Sequence, residues 1–451
     1  MTMRLDKKAS KKYKKFKLGL TPQQTLFYGF LTYITAGFLI LCLPFLQNKP
    51  IGFIDHLFTA ASAVSTTGLL TVPLVASYNF FGQLVIMVLF QLGGIGYLTF
   101  TTFIILSTTR KLTHWHQKIL QTEFTLPKTL HIRDFLKSVI LFTLVMETLG
   151  ALLFFIAFKG EGFAFWDAVW SAIFHSVSAF CTAGFSLDPN GFAPYVDNGL
   201  INTTTSILAI AGSLGFIVVT DFYLLLKIKS HRLSFTTKII FYGFLILLTL
   251  GTTLLYFTEP TLSLLDGKER FMASIFQAMS AMTTVGFNTV DIGMFSQAII
   301  LITIFLMYVG ASPSGTAGGI KITTLTAVLA IMKSGLQGKK TVTFLRKRIP
   351  EARLQIAIST FIFYTLLLVL GTLLVSYTND FTFETILFEV ASALGTVGLS
   401  TGITGDLDTF GKTVLIVLMF IGRLGVLTFG LALWYKKQKN DSNLSEVDLA
   451  L

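Results

Sequence analysis

Charge is scarce in this chain. Only 13% of its 451 residues are Asp, Glu, Lys or Arg, and 53% are hydrophobic. Soluble domains carry about 25% charged residues, so a water-soluble globular protein is excluded. Cysteine is scarcer still: Cys42 and Cys181 are the only two, which excludes a disulfide framework. Catalytic signatures are missing too. There is no H-E-x-x-H and no G-x-S-x-G. The acids within apolar runs, Glu147 and Asp221, have no paired histidine, which argues against a membrane-embedded enzyme. The lone H-x-H, His114 and His116, has no cysteine or acid spaced to complete a metal site. No glycine fingerprint stands in a strand–helix context, so nucleotide binding is not expected in this chain. A cleavable signal is not expected either, because the basic N-terminus and the first apolar run are both too long.

What is present is a series of eight apolar runs, at roughly 21–46, 82–106, 135–158, 200–226, 238–258, 296–331, 354–377 and 411–435. Each reaches the length of about 20 residues that crosses a bilayer as a helix. The net charge of +12 is not a nucleic-acid footprint, because 28 of the 35 Lys and Arg lie in the two termini and alternate connections. By the positive-inside rule this puts both termini in the cytoplasm of a multi-pass plasma-membrane protein. Residues 1–20 form a basic arm suited to anionic inner-leaflet lipids, and 436–451 a short cytoplasmic tail. The outer connections carry acids instead, including Asp55, Asp167, Asp188, Asp291 and Asp408. An acidic mouth concentrates cations.

Those outer connections hold one motif four times: Phe58 to Leu69, Phe174 to Phe185, Phe276 to Phe287 and Phe388 to Leu399. In each, a Phe precedes a Gly by ten residues, Ser-Ala stands six and five before it, and Thr two before it. The glycines are 116, 102 and 112 residues apart by subtraction. That period is too long for a solenoid and suits one membrane unit repeated four times. Each copy reads as an apolar helix that ends at T-x-G. The candidate filter residues are Ser65, Thr66, Thr67 and Gly68; Cys181, Thr182, Ala183 and Gly184; Thr283, Thr284, Val285 and Gly286; and Gly395, Thr396, Val397 and Gly398. Two copies read T-V-G, the core of the potassium-channel filter, where backbone carbonyls replace the ion's water shell. The expected fold is an all-α integral membrane protein with four pseudo-symmetric helix–pore helix–helix repeats around one central pore. The repeats fall at 21–106, 135–226, 238–331 and 354–435.

Two units depart from the plan. In the third, residues 310–321 interrupt the closing run with four glycines and Pro313. Irregular backbone at membrane depth must face protein or a water-filled cavity, so this stretch is expected at the pore, on the cytoplasmic side of the filter. In the fourth, Arg423 replaces a small residue, Gly94 in the first unit and Ser213 in the second. It either faces the pore or makes an ion pair, with Glu147 or Glu389 as partner. Glu147 is either functional or hydrogen-bonded to a neighbouring helix.

Together these residues resemble the Trk/Ktr/HKT potassium transporters, nearest the bacterial Ktr membrane subunits, over about 21–435. The resemblance implies uptake of K+, with Na+ dependence as an open point, and a sodium-preferring or weakly selective channel as the alternative. It implies that Gly68, Gly184, Gly286 and Gly398 set potassium preference. It makes Gly310, Ala311, Ser312, Pro313, Ser314, Gly315, Thr316, Ala317, Gly318 and Gly319 a gating loop, with Lys321 beside it and Arg423 as a cationic barrier. It further implies a homodimer on a cytosolic ring of nucleotide-binding regulatory subunits of the KtrA/KtrC type. ATP and ADP are then expected only on that partner. The second filter, with Cys181 and Ala183, departs from T-V-G; because carbonyls coordinate, a modest effect is expected.

Overall fold

The computed structural model describes residues 20–96, 132–227, 232–310, 312–313 and 315–434. The basic arm, the C-terminal tail, His114, His116, Ala311, Ser314 and the end of the second apolar run lie outside the described residues.

The chain folds as four successive groups of helices. The first is α1 (Pro22–Leu41), α2 (Phe53–Val64) and α3 (Phe80–Ile95). The second is α4 (Ile132–Gly160), α5 (Phe165–Phe180) and α6 (Gly199–Lys227). The third is α7 (Phe235–Thr258), α8 (Gly267–Thr283), α9 (Gln297–Tyr308) and α10 (Ile322–Leu336). The fourth is α11 (Glu351–Thr378), α12 (Phe383–Gly395), α13 (Thr409–Leu424) and α14 (Val426–Trp434). Helix starts are written into the sequence. Thr21 and Gln24 make a capping box before Pro22, and Asn79 and Asp408 accept from the first turns of α3 and α13. Such caps supply acceptors for N–H groups that have no partner within the helix.

The outer helices are apolar all round, as a bilayer solvent allows. On α11, Ile362, Leu366, Leu370 and Leu373 are exposed at the three- and four-residue steps of one helix face. The short helices α2, α5, α8 and α12 are the buried centre. Each is anchored by its motif phenylalanine, and Phe58, Phe174, Phe276 and Phe388 are at most 1% exposed.

Eight continuous spans are not seen among the described residues. Among the described residues five helices are long and apolar enough to cross a membrane, and the others are interrupted. α9 and α10, of 12 and 15 residues, rise only about 18 and 22 Å, and residues 309–321 separate them. α13 and α14 meet at 96°. Nor is the third unit alone in breaking, as the sequence reading has it. Gly96 ends α3, Gly215 kinks α6 and Gly425 separates α13 from α14. Their φ values are +87°, +79° and +84°, a region open to glycine and strained for other residues. All three glycines close a G-x-x-G: Gly93 to Gly96, Gly212 to Gly215, Gly422 to Gly425.

The outer acids are also more structural than an acidic mouth requires. Asp55, Asp167, Glu269 and Glu384 each sit in the first turn of a short buried helix, where a carboxylate complements the positive end of the dipole. Asp291 and Asp408 cap helices. Asp55 also takes an ion pair from Lys412 at 3.0 Å, both side chains largely buried, which ties the first unit to the last.

Beyond its C-terminal end, α10 leads into a two-stranded hairpin, β3 (Thr343–Phe344) with β4 (Lys347–Arg348). Leu345 and Arg346 turn it with φ of 45° and 61°, the left-handed pair of a tight hairpin turn. Here β1 and β2 are Val309–Gly310 and Ile320–Lys321, which pair in parallel.

Candidate ion pathway

Each short helix ends the same way. The residue after the helix, or its last cap, is a threonine in the left-handed region: Thr66, Thr182, Thr284 and Thr396, with φ between 50° and 56°. The next residue's N–H reaches back to the motif serine's carbonyl: Thr67 to Ser62 at 2.9 Å, Ala183 to Ser178 at 2.8 Å, Val285 to Ser280 at 3.2 Å and Val397 to Ser392 at 2.8 Å. This is a Schellman helix end, normally built on glycine. A β-branched residue at positive φ is an outlier. Six non-glycine residues have positive φ among those described, and four of them are these threonines. Four equivalent positions thus share one strained backbone conformation. The sequence reading ends each helix where T-x-G begins, and the left-handed turn starts there, at the threonine two residues before the glycine.

The motif serine also holds the glycine side of the turn, in two ways. Gly68 N–H donates to Ser62 Oγ at 3.1 Å, and Gly398 N–H to Ser392 Oγ at 3.0 Å. Where Phe follows the glycine, the hydroxyl donates instead: Ser178 to Phe185 O at 2.9 Å and Ser280 to Phe287 O at 2.6 Å. Four separate T-x-G segments thereby take one shape.

Those segments close on one another. A Cβ on Gly68 would lie 2.5 Å from Ala183 O, on Gly184 2.4 Å from Val285 O, on Gly286 2.1 Å from Val397 O, and on Gly398 2.1 Å from Thr67 O. Each glycine faces the carbonyl of the next repeat, and the fourth faces the first. The result is a ring of four carbonyls in the order one, two, three, four. Only a residue without a side chain fits where backbones approach so closely.

The second apolar helix of a unit packs its G-x-x-G against this ring. A Cβ at Gly93, Gly212 or Gly422 would lie 2.1 Å from Val64 O, Phe180 O or Leu394 O, each four residues before a filter glycine. The sequence shows this signal as a repeated G-x-x-G inside the apolar runs. The third unit has Gly310 with Pro313 three residues on, and there the helix gives way to the loop.

The loop lies directly beneath the ring. Ser312, Thr316 and Ala317 are at most 3% exposed. Gly318 N–H donates to Thr284 Oγ1 at 3.1 Å, and a Cβ there would meet Gly395 O at 2.1 Å. Thr316 N–H donates to Gly212 O at 3.1 Å. Lys321 Nζ donates to Ala317 O at 2.6 Å and Gly318 O at 2.7 Å, holding the loop on its own neck. Arg423 binds Thr316 O through one amino group and Gly93 O and Gly94 O, the latter at 3.0 Å, through the other. The guanidinium therefore joins the loop to the first and fourth units. The ion-pair partners considered for it are engaged elsewhere. Glu147 accepts from Gln91 Nε2 at 3.0 Å, so it is a helix-to-helix hydrogen bond. Glu389 accepts from Ser400, Thr401 and Thr404. Cys181 Sγ donates to Gln91 Oε1 at 3.0 Å, which fixes the second filter from behind. A cavity of about 230 Å³ lies beside the loop, lined by Gly94, Pro313, Lys321, Arg423 and, from α1, Leu26 and Phe30.

Comparison with known proteins is consistent with this geometry. The cation transport protein family TrkH matches residues 30–443. Ktr system potassium uptake protein B of Bacillus subtilis (strain 168) is 35% identical over 424 residues, which cover 93% of this chain and 94% of that protein. Potassium/sodium uptake protein NtpJ of Enterococcus hirae is 33% identical, covering 95% and 96%. The crystal structure of the potassium transporter TrkH from Vibrio parahaemolyticus superposes with a TM-score of 0.73 over 91% of this chain and 84% of that one. At 21% identity that likeness speaks to the fold.

Proposed function

Since the chain belongs to the TrkH family of cation transport proteins, we propose that it takes up potassium across the cell membrane through the ring of four T-x-G turns. The observation that carries this is the closed set of Thr67, Ala183, Val285 and Val397 carbonyls against the four glycines. Around each turn φ is positive at the threonine, negative at the next residue and positive at the glycine. That alternation turns successive carbonyls to one side, where they can stand in for water around a desolvated cation. The four short helices end at the ring, so their C-terminal partial negative charges point at it. Glycine at Gly68 favours potassium over the sodium-preferring alternative. The Enterococcus relative is named for potassium/sodium uptake, which supports keeping sodium as a coupled or activating ion.

In this reading the loop and Arg423 close the pathway below the ring, since a fixed cation in a low-dielectric pore repels the ion. Opening withdraws the loop. The lever is α10 and the basic connection beyond it, on which a cytosolic nucleotide-binding ring docks beneath a homodimer. Both termini face that ring.

The test is uptake in a cell that lacks potassium transport, with and without sodium. Gly68→Ser and Gly286→Ser each drive a side chain into a neighbouring carbonyl and an unfavourable φ. Each should lower potassium preference over sodium, about tenfold for the 1–2 kcal/mol that a left-handed non-glycine residue costs. Discrimination equal to that of the parent in both variants would remove the ring from the selectivity step.

A further inference from the structure

The residue after the motif phenylalanine is polar in all four repeats, yet differs in each: Thr59, His175, Gln277 and Glu389. All stand nine residues before their filter glycines, and none is more than 3% exposed. Four buried polar side chains at one pseudo-symmetric position require partners. Three find them in the segment leaving the filter, two and three residues past the glycine. His175 Nε2 lies 3.2 Å from both Ser186 Oγ and Leu187 N. Gln277 Nε2 donates to Thr289 Oγ1 at 3.3 Å. Glu389 Oε1 accepts from Ser400 Oγ at 2.6 Å, Thr401 N at 2.9 Å and Thr401 Oγ1 at 3.2 Å, while its Oε2 accepts from Thr404 Oγ1 at 2.8 Å.

The first repeat breaks the pattern. Thr59 is too short, and its hydroxyl donates to Asp55 O in its own helix. The residue that should receive it, Thr71, is three past Gly68. Its buried hydroxyl meets no hydrogen-bond partner among the described residues.

We propose that His175, Gln277 and Glu389 are positioning residues for selectivity: struts that hold the outer end of three filter segments, with the first segment left unbraced. The proposal rests on the filter reading above. Carbonyl rings discriminate between ions by how far their oxygens can close on the smaller one. A strut fixed to a buried helix sets that limit from behind, as supporting residues set the geometry of any binding site. The three struts use different chemistry because each unit resides in the same chain and mutates alone. The unbraced quarter is where the outer ring yields when an ion enters.

The same substitution at equivalent places separates this from a general packing role. Thr289→Val removes the partner of Gln277, whereas Thr71→Val removes a hydroxyl that nothing holds. Potassium uptake with competing sodium should show discrimination reduced about threefold to tenfold in Thr289→Val, the scale of one hydrogen bond, with maximal uptake retained. Thr71→Val should match the parent. Glu389→Leu should lose discrimination further, and Glu389→Gln, which keeps the Oε1 acceptor, should recover most of it. Equal ratios in Thr71→Val and Thr289→Val, whether both parental or both reduced, overturn the strut. If Glu389→Leu is absent from the membrane, the threonine pair decides alone. A parent that does not prefer potassium over sodium defeats the filter reading instead, before any variant is compared.

Discussion

At the scale of single residues, Arg423 separates two ideas that the sequence left together. As a barrier it needs only its charge. As a strap it needs its fork, because one amino group binds Thr316 O while the other binds Gly93 and Gly94. Lysine has the charge and cannot span two acceptor sites on different elements in this way. Arg423→Ala should raise uptake without a regulator, since barrier and strap are both lost. Arg423→Lys should raise it by a smaller factor, of about threefold to tenfold for one bond of the strap. Rubidium uptake, normalised to transporter in the membrane, measures both; a lysine variant as closed as the parent leaves only the barrier. The arginine's exceptional place was legible because two other units carry a small residue there, Gly94 and Ser213. The left-handed threonines were not, since nothing in T-x-G distinguishes a threonine in strain from one in an ordinary turn.

At the scale of the element, the second helices break because glycine is needed twice, for different reasons. Gly422 must be small since Leu394 O would stand 2.1 Å from a Cβ. Gly425 has room, its nearest neighbour being Thr428 Oγ1 at 3.9 Å, and is required only by its φ of +84°. Gly425→Ala should therefore cost about 1–3 kcal/mol. Gly422→Ala should cost more, because helix and filter support must part. Thermal unfolding in detergent gives the order, and a milder effect at Gly422 would contradict the packing described. The break in the third unit was legible, since proline among four glycines cannot continue a helix. The others were hidden in apolar runs, where G-x-x-G reads as ordinary helix packing. Short hydrophobic segments give length and composition, while the backbone angle at one glycine depends on what is packed against it.

At the scale of the whole molecule, the surface around the connection after α10 is basic. Lys339, Lys340, Arg346, Lys347 and Arg348 lie there, each exposed, and the hairpin presents Leu345 at its tip, 68% exposed. Reversing the five charges should abolish co-purification of a cytosolic regulator while insertion and protein level persist. Retention of the regulator would mean that the charges serve orientation alone. The alternation of basic and acidic connections was legible from composition.

The closure of the ring has a consequence for biosynthesis. Gly398 meets Thr67, Lys412 meets Asp55, and Arg423 meets Gly93 across 330 residues of chain. The first T-x-G segment is made before either of its two neighbours, and one of them, in the fourth unit, is the last to be made. Until the fourth unit inserts, three strained turns stand in the bilayer around an open seam, with the loop lacking its arginine. The ring and the arginine strap on the loop are therefore completed together, with the final quarter of the chain.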